Sequence, residues 1–279
     1  MKKFFSLMLL INILLSTGEF TAGSQDAQHY KETLGSLFSR ILNTNSDSLR
    51  LTLNDSIKIL IDNYAASDSV LLHNFKGLRY LGEIMSPDSK IKLITWNLIL
   101  KEGGNKYFCY IIKKGARGEK NHLYKLTGEN REETPDTNRI YNPGDWYGAL
   151  YYSIQPFFCG KELHYVLLGL DYGNSMITRK IIDVLTFTPQ GDLLFGYKCF
   201  NRGKNTATRA VLEYSSEGVV TLRMHNPKTI VFDRLAIISD DNNRNPGNLG
   251  SEYRFDGYVL KKGMWNFVSN IDVRNKKQK

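Results

Sequence analysis

Hydrophobic residues recur at two different spacings along this chain, and the change of spacing divides it in two. Between residues 25 and 64 the apolar side chains lie three and four residues apart, which is typical of amphipathic helices. They are Tyr30, Leu34, Leu37, Phe38, Ile41 and Leu42, then Leu49, Leu53, Ile57, Leu60, Ile61 and Tyr64. The polar residues 43–47 separate the two runs, and Ser46 or Asp47 suits the N-cap of a second helix. We predict a helical hairpin within residues 24–72. Leu49, Leu51 and Leu53 alternate as in a strand, which gives a competing interpretation for the beginning of the second helix.

From residue 73 to residue 272 the pattern changes to short alternating runs bounded by turn residues, as in antiparallel strands. Turns are expected at residues 86–89, 159–161, 188–192, 226–228 and 256–257. Asp256-Gly257 gives the strongest two-residue hairpin signal, because apolar runs lie on both sides of it. Ten or more strands usually form two packed sheets or close on themselves. We therefore predict a mainly β fold, an antiparallel sandwich or a strongly curved sheet, with the helical hairpin packed on it.

The two ends of the chain carry a predicted export signal and most of the net positive charge. Lys2-Lys3 precede an apolar run over 4–15 and small residues at 16–18, the pattern of a secretory signal peptide, which we assign to residues 1–23. Residues 273–279 form a basic tail that we expect to be disordered. Removing the six cations of the two ends from the net charge of +9 leaves +3, which does not point to nucleic acid. No later apolar run has the length of a membrane-spanning helix, so we expect no transmembrane segment after signal removal.

Three blocks of sequence are specific enough to indicate a family. They are residues 146–152 (WYGALYY), residues 178–185 (TRKIIDVL) and the ending formed by 255–258 (FDGY) with 262–265 (KGMW). Together they resemble a group of exported Bacteroidota proteins of unknown function, over about residues 30–273. The resemblance implies a Gram-negative envelope setting, periplasmic or outer-membrane-associated, with an extracellular position still open. It implies no catalytic residue.

Candidate binding residues lie in the aromatic block and in the loop that follows the predicted strand 164–170. Trp146, Tyr147 and Tyr151 can stack on a sugar ring or anchor a protein partner, since aromatic side chains bury a large area at low entropic cost. The alternative interpretation is that this aromatic strand builds the core. Asp171 and Asn174 fall in a polar loop at a strand end, where binding residues often lie.

A glycoside hydrolase needs two carboxylates, and Asp171 with Asp183 is the nearest candidate pair. If residues 164–170 and 179–187 form a hairpin, Asp171 lies at its turn and Asp183 lies several residues up the return strand. At about 3.3 Å per residue the two are then about 15 Å apart. Retaining enzymes need about 5.5 Å and inverting enzymes about 6.5–9.5 Å. We therefore expect Asp171 to cap the turn and Asp183 to pair with an arginine or lysine.

One loop has the oxygen-ligand spacing of an EF-hand-type calcium site. Its candidate ligands are Asp241, Asn243, Asn245 and Glu252. Pro246 stands where the sharp turn requires glycine, and Arg244 brings positive charge into the site. A polar turn-rich loop is thus the first interpretation and a weak calcium site the second. No other cofactor is expected.

The three cysteines are too few for a disulfide framework and odd in number. Cys109 lies in an apolar run and is predicted to be a buried thiol. Cys159 and Cys199 each end a strand-like segment and can pair, because an exported protein reaches an oxidising compartment. Such a bond would add about 2–4 kcal/mol of stability.

Two functional hypotheses follow from these patterns. The first is a non-enzymatic exported binding or assembly module, whose partner is an envelope protein or a glycan. The second is a carbohydrate-binding protein or glycan hydrolase that uses the region between Trp146 and Asp171. An open cleft lined by those two residues favours the second hypothesis, and a filled core there favours the first.

Overall fold

The computed structural model describes residues 28–67, 70–75, 77–102, 104–129, 133–237 and 246–273. The chain divides into two compact units. The helical unit contains the described residues up to Tyr80 together with Lys114–Asn121. The β unit contains Leu81–Lys113 and the described residues from His122 onward.

The two predicted terminal segments fall almost entirely outside the described residues. This holds for the signal peptide at 1–23 and for all of the basic tail except Val273. A membrane-spanning helix needs about 20 apolar residues. In the described part of the chain, neither helix of the helical unit meets that requirement.

The helical unit begins with two helices, α1 over residues 28–43 and α2 over Asp47–Ala65. Ser46 caps α2, because its side-chain oxygen accepts a hydrogen bond from the Leu49 backbone nitrogen at 3.2 Å. Of the two predicted cap candidates, Ser46 is therefore the N-cap, and Asp47 is the first residue of the helix. The strand interpretation of the leucines at 49–53 is wrong, since these residues form the first turns of the helix.

The two helices form the predicted hairpin. The ring of Tyr64 in α2 lies 5.8 Å from that of Tyr30 in α1 and 4.3 Å from that of Phe75, measured between ring centroids. The Tyr64 hydroxyl also donates to the His73 carbonyl at 3.0 Å. The side chains buried in this unit follow the predicted period and include Leu34, Leu37, Phe38, Ile41, Leu53, Ile57 and Ile61.

Fifteen strands occur among the described residues of the β unit. They are β1 (Gly82–Met85), β2 (Ile91–Ile99), β3 (Asn105–Lys113), β4 (His122–Glu129), β5 (Leu150–Cys159), β6 (Glu162–Asp171), β7 (Ile177–Phe187), β8 (Leu193–Phe195), β9 (Phe200–Arg202), β10 (Asn205–Ala207), β11 (Ala210–Ser215), β12 (Leu222–Asn226), β13 (Thr229–Ile237), β14 (Leu249–Lys261) and β15 (Met264–Val268). A short 3-10 helix, Pro246–Asn248, precedes β14. The mainly β fold is confirmed.

These strands form three sheets, one more than a simple sandwich has. Their strand orders are β1-β2-β3-β4, then β11-β7-β6-β5 with β8 also paired to β7, and β10-β9-β15-β14-β13-β12. All pairs are antiparallel except β15 with β9. We call the second sheet the middle sheet, because apolar clusters cover both of its faces.

Neighbouring residues of the middle sheet face different clusters, since side chains alternate along a strand. Leu167 of β6 belongs to the cluster that contains Tyr107 of β3. Leu168, the next residue, belongs to the cluster that contains Trp265 of β15. As a result, β6 is buried almost throughout, unlike a strand with one face in water.

The predicted hairpin turn at Asp256-Gly257 is wrong. Strand β14 runs through both residues, and the chain turns instead at Lys262-Gly263, where φ is 50° and 80°, as a two-residue hairpin turn requires. A Cβ at Gly257 would lie 2.0 Å from the Ile230 carbonyl oxygen, so this glycine permits close approach of β13. The other four predicted turns are confirmed; they connect β1–β2, β5–β6, β7–β8 and β12–β13.

Candidate functional site

The turn between β6 and β7 is shaped by a buried carboxylate, Asp171. Its Oδ1 accepts hydrogen bonds from the Gly173 backbone nitrogen at 2.9 Å and from the Tyr107 hydroxyl at 3.0 Å. Gly173 has φ of 56°, and a Cβ there would lie 2.3 Å from the Ile177 carbonyl oxygen, so only glycine fits. Asp171 therefore caps this turn, as predicted.

The second carboxylate oxygen of Asp171 accepts from Nη1 of Arg179 at 3.1 Å. Arg179 is only 1% exposed, and its Nε donates to Oε1 of Glu213 at 2.8 Å. We call Tyr107, Asp171, Arg179 and Glu213 the Asp171 network. Because its arginine bridges two carboxylates, this network holds the turn to β11 and to β3.

A second buried network surrounds Asp183, which is fully buried in β7. Its carboxylate accepts from the Tyr147 hydroxyl at 2.6 Å, from Nε of Arg209 at 3.3 Å and from the Val184 backbone nitrogen at 2.8 Å. Burial raises the pKa of Asp183, although Arg209 and Tyr147 favour its charged form. The expected pairing of Asp183 with an arginine is confirmed.

The aromatic block lies in the interior. Trp146, Tyr147 and Tyr151 are 1%, 3% and 1% exposed, and Nε1 of Trp146 donates to the Tyr151 hydroxyl at 3.2 Å. A ring in such a position cannot stack on a ligand unless the core opens. Of the two interpretations of this block, the core interpretation therefore agrees with the structure. Tyr152, the next residue along β5, faces outward and is 39% exposed.

The two carboxylates of the hydrolase hypothesis are far apart. Asp183 pairs in register with Leu167, four residues before Asp171, which corresponds to about 13 Å along the strand. A cavity of about 240 Å³ lies beside Asp171 and Tyr147. It is smaller than ligand pockets usually are, about 300–1,000 Å³. The separation of about 13 Å between Asp171 and Asp183 exceeds the spacings of about 5.5–9.5 Å that glycoside hydrolysis requires of its two carboxylates.

A larger cavity, of about 580 Å³, is lined in part by Tyr172, Lys180 and Tyr214, each of which directly follows a member of the Asp171 network along the chain. We call it the turn groove. It is formed by the β6–β7 turn, by the facing ends of β2 and β3, and by the connection from β11 to β12. Its polar lining includes Asn105, Tyr172, Asn174, Thr178, Lys180 and Tyr214.

Lys180 is the only charged side chain that lines the turn groove within the described chain. Its Nζ lies 5.0 Å from the centroid of the Tyr152 ring. Burial lowers the pKa of Lys180. Tyr214 beside it is buried, and burial together with Tyr172 raises the pKa of Tyr214 to about 12. The groove therefore combines one partly desolvated cation with neutral hydroxyl groups.

Asn105 contributes an unsatisfied acceptor. Its Oδ1 is shielded from solvent and has no hydrogen-bond partner among the described residues. Buried polar atoms in native proteins are nearly always paired. Because solvent does not reach this oxygen, a ligand in the groove does not reach it either, and Asn105 contributes shape rather than a hydrogen bond.

The turn groove is held in shape by backbone contacts at its rim. Ser216, which follows β11, donates from Oγ to the Ser175 carbonyl at 2.7 Å and from its backbone nitrogen to the Met176 carbonyl at 2.9 Å. Oδ1 of Asn174 accepts from the backbone nitrogens of Met176 and Ile177 at 2.9 and 3.0 Å. Asn174 thus both orders the rim and lines the groove.

Exposed apolar side chains concentrate around the same groove. Ile99, Tyr172 and Val219 line it and are 56%, 43% and 85% exposed, and Met176 in the turn is 64% exposed. Clustered exposed apolar groups usually mark interaction sites. The combination of apolar rim, neutral hydrogen-bonding groups and one cation makes the turn groove our candidate site.

The remaining predicted site residues are those of the candidate calcium loop. Asp241, Asn243 and Asn245 lie outside the described residues. Glu252 is described, and its carboxylate lies 3.9 Å from Nε of Arg234 and 3.7 Å from Nη1 of Arg254. The calcium loop stays a prediction.

All three cysteines are free thiols in the structure. Cys109 is buried, as predicted, and burial raises its pKa well above the ordinary value. Cys199 is buried too, whereas Cys159 is half-buried. A Cys159–Cys199 disulfide stays a prediction.

Of the residues that shape or line this site, Asp171 and Asn174 were predicted from the sequence, whereas Asn105, Lys180 and Tyr214 were not. A usable signal for Lys180 existed, because it lies on the same face of β7 as the apolar Ile182 and Val184. No local pattern marks Asn105 or Tyr214, which reach the groove only through packing of β3 and β11. Comparisons of the chain with family models, curated proteins and solved structures gave no match.

Proposed function

We propose that this chain is a non-enzymatic exported protein of the bacterial envelope, periplasmic or outer-membrane-associated, and that it binds a partner molecule through the turn groove. The observation that carries the proposal is the contrast between paired and unpaired groups. Asp171 and Asp183, the carboxylates that catalysis would use, are buried and bound to arginines. Lys180, which has no carboxylate partner among the described residues, lines the open groove.

The alternative proposal, a glycan hydrolase that uses the region between Trp146 and Asp171, has less support. Trp146 fills the core, and Asp171 is engaged by Tyr107, Gly173 and Arg179. The proposed binding function includes glycans as partners. A glycan would bind in the open turn groove, because the aromatic block is buried.

Site-specific photo-cross-linking in intact envelopes tests the proposed function. A benzoylphenylalanine replaces Ser175, an exposed residue that lines the groove. The matched control carries the same group at Lys161, exposed in the β5–β6 turn at the opposite end of β6. We expect an adduct from position 175 and none from position 161.

The same adduct must be lost when the groove is altered without damage to the fold. Adding Tyr172→Ala to the position-175 variant removes an exposed ring of the groove. Adding Phe158→Ala instead removes an exposed ring of the β5–β6 end, 61% exposed. Equal adducts from positions 161 and 175, or an adduct unaffected by Tyr172→Ala, would contradict binding in the groove.

A further inference from the structure

The turn groove contains a cation, Lys180, that is not balanced by a nearby carboxylate of the described residues. Among the described residues no carboxylate lies within ion-pair distance of Lys180, whereas Arg179 beside it contacts two. The ammonium of Lys180 is partly removed from water and rests against the ring of Tyr152. A cation in such a site gains most from an anionic group supplied from outside, because charge-assisted hydrogen bonds are the strong ones.

The rest of the lining is rich in neutral polar groups. Thr178, Tyr214 and Ser216 contribute hydroxyls, and Tyr172 adds an exposed ring with a polar tip. Aromatic rings of this kind present an apolar body and a hydrogen-bonding end to the same ligand. A saccharide matches this lining, since it combines C–H faces with a hydroxyl on most of its ring carbons.

We propose that the turn groove binds an acidic saccharide, with its carboxylate or sulfate on Lys180 and a ring against Tyr172. The proposal rests on the proposed function, because it names the ligand class of the same groove. The groove volume of about 580 Å³ suits a small ligand. An acidic peptide shares the negative charge and the N–H donors, but it offers fewer donors to the dense set of hydroxyls.

The test is binding of the processed full-length chain to an array of oligosaccharides and peptides. The array carries hexuronate-bearing, sialate-bearing and sulfated oligosaccharides, their carboxyl-reduced or desulfated counterparts, and glutamate-rich peptides. We expect binding to at least one acidic saccharide, and binding to its neutral counterpart that is weaker by about tenfold or more, as loss of a charged hydrogen bond predicts.

Variants identify the residue responsible. Lys180→Gln is expected to weaken acidic-saccharide binding by about tenfold to a hundredfold, and Lys180→Arg is expected to retain it within a few-fold. The matched control is Lys125→Gln on β4, where a lysine Nζ also lies over a tyrosine ring, 5.7 Å from the centroid of Tyr110. Its binding should equal that of the unaltered chain. Thermal melting of each variant checks that the fold is intact.

Several results would overturn the proposal. These are equal binding of neutral counterparts, equal loss in Lys180→Gln and Lys125→Gln, or binding confined to the glutamate-rich peptides. If the array stays empty while cross-linking from position 175 captures a protein, the saccharide proposal fails and the binding function stands. If the array stays empty and cross-linking captures nothing, both fail.

Discussion

Arg179 and Lys180 are neighbours on β7, yet the two faces of the strand place them in opposite situations. Arg179 is 1% exposed and lies between Asp171 and Glu213. Lys180 is half-buried, lies beside the ring of Tyr152 and has no carboxylate partner among the described residues. One cation completes a closed network, and the other is left for a ligand.

The difference shows how one hairpin can serve both stability and binding. A buried charge that loses its partner is strongly destabilising, so the Asp171 network must stay intact for the turn to keep its shape. A cation at the edge of a groove keeps part of its hydration and tolerates an absent partner. The face of β7 that carries Arg179 therefore holds the backbone of the turn in place. The face that carries Lys180 presents its side chains to the turn groove.

The largest expected effect comes from exchanging each cation for an apolar side chain of similar length. Arg179→Met leaves the Asp171 carboxylate buried without its arginine, which should lower the free energy of unfolding by about 3–5 kcal/mol. Lys180→Met removes only an unpaired charge and should change it by less than about 0.5 kcal/mol, or raise it. Urea denaturation of the two variants measures both values. Similar losses in both would remove the distinction between the two faces.

A smaller effect is expected from the turn itself. Gly173→Ala and Gly160→Ala both place a Cβ at positive φ, 56° and 61°, which costs about 1–2 kcal/mol. Only at Gly173 would the new atom meet backbone, 2.3 Å from the Ile177 carbonyl oxygen. Relief of that clash should cost about 1–3 kcal/mol more. Thermal and urea unfolding of the pair measure the difference, and equal losses would show that the turn yields easily.

The smallest effect is a pH dependence confined to Lys180. Burial lowers its folded pKa below the ordinary 10.5, so the folded protein releases this proton before the unfolded chain does. The burial cost is present in full at lower pH and is relieved as pH rises towards 10.5. The stability of the unaltered chain relative to Lys180→Met should therefore increase with pH in this alkaline range. Urea unfolding at several pH values measures the trend, and a difference that falls with pH would contradict it.

Much of the fold was predictable because it depends on local patterns. The three-and-four spacing placed α1 and α2, and residue type narrowed the N-cap of α2 to Ser46 or Asp47, of which Ser46 is the cap. Turn residues located four of five hairpins. The exception, Asp256-Gly257, failed because glycine has two uses that look alike in sequence. At Gly257 it lets a neighbouring carbonyl approach within a continuous strand.

The candidate site was predictable only in part. Asp171 and Asn174 were found because they occupy a polar loop at a strand end. The aromatic block attracted attention for its chemistry, but it lies inside, since the middle sheet is covered on both faces and its aromatic residues fill one of the two cores. Sequence alternation shows that a strand has two faces, but it does not show whether both are buried.

The sequence by itself determined the helical hairpin, four of the antiparallel hairpin turns and the capping role of Asp171, because these depend on residues close together in the chain. Only the tertiary structure decided which side chains are paired and which are open. Arg179 pairs with Glu213, and Lys180 lies against the ring of Tyr152, because strand register and packing bring distant segments together. Burial and pairing of charge depend on such long-range contacts, and no spacing within one segment records them.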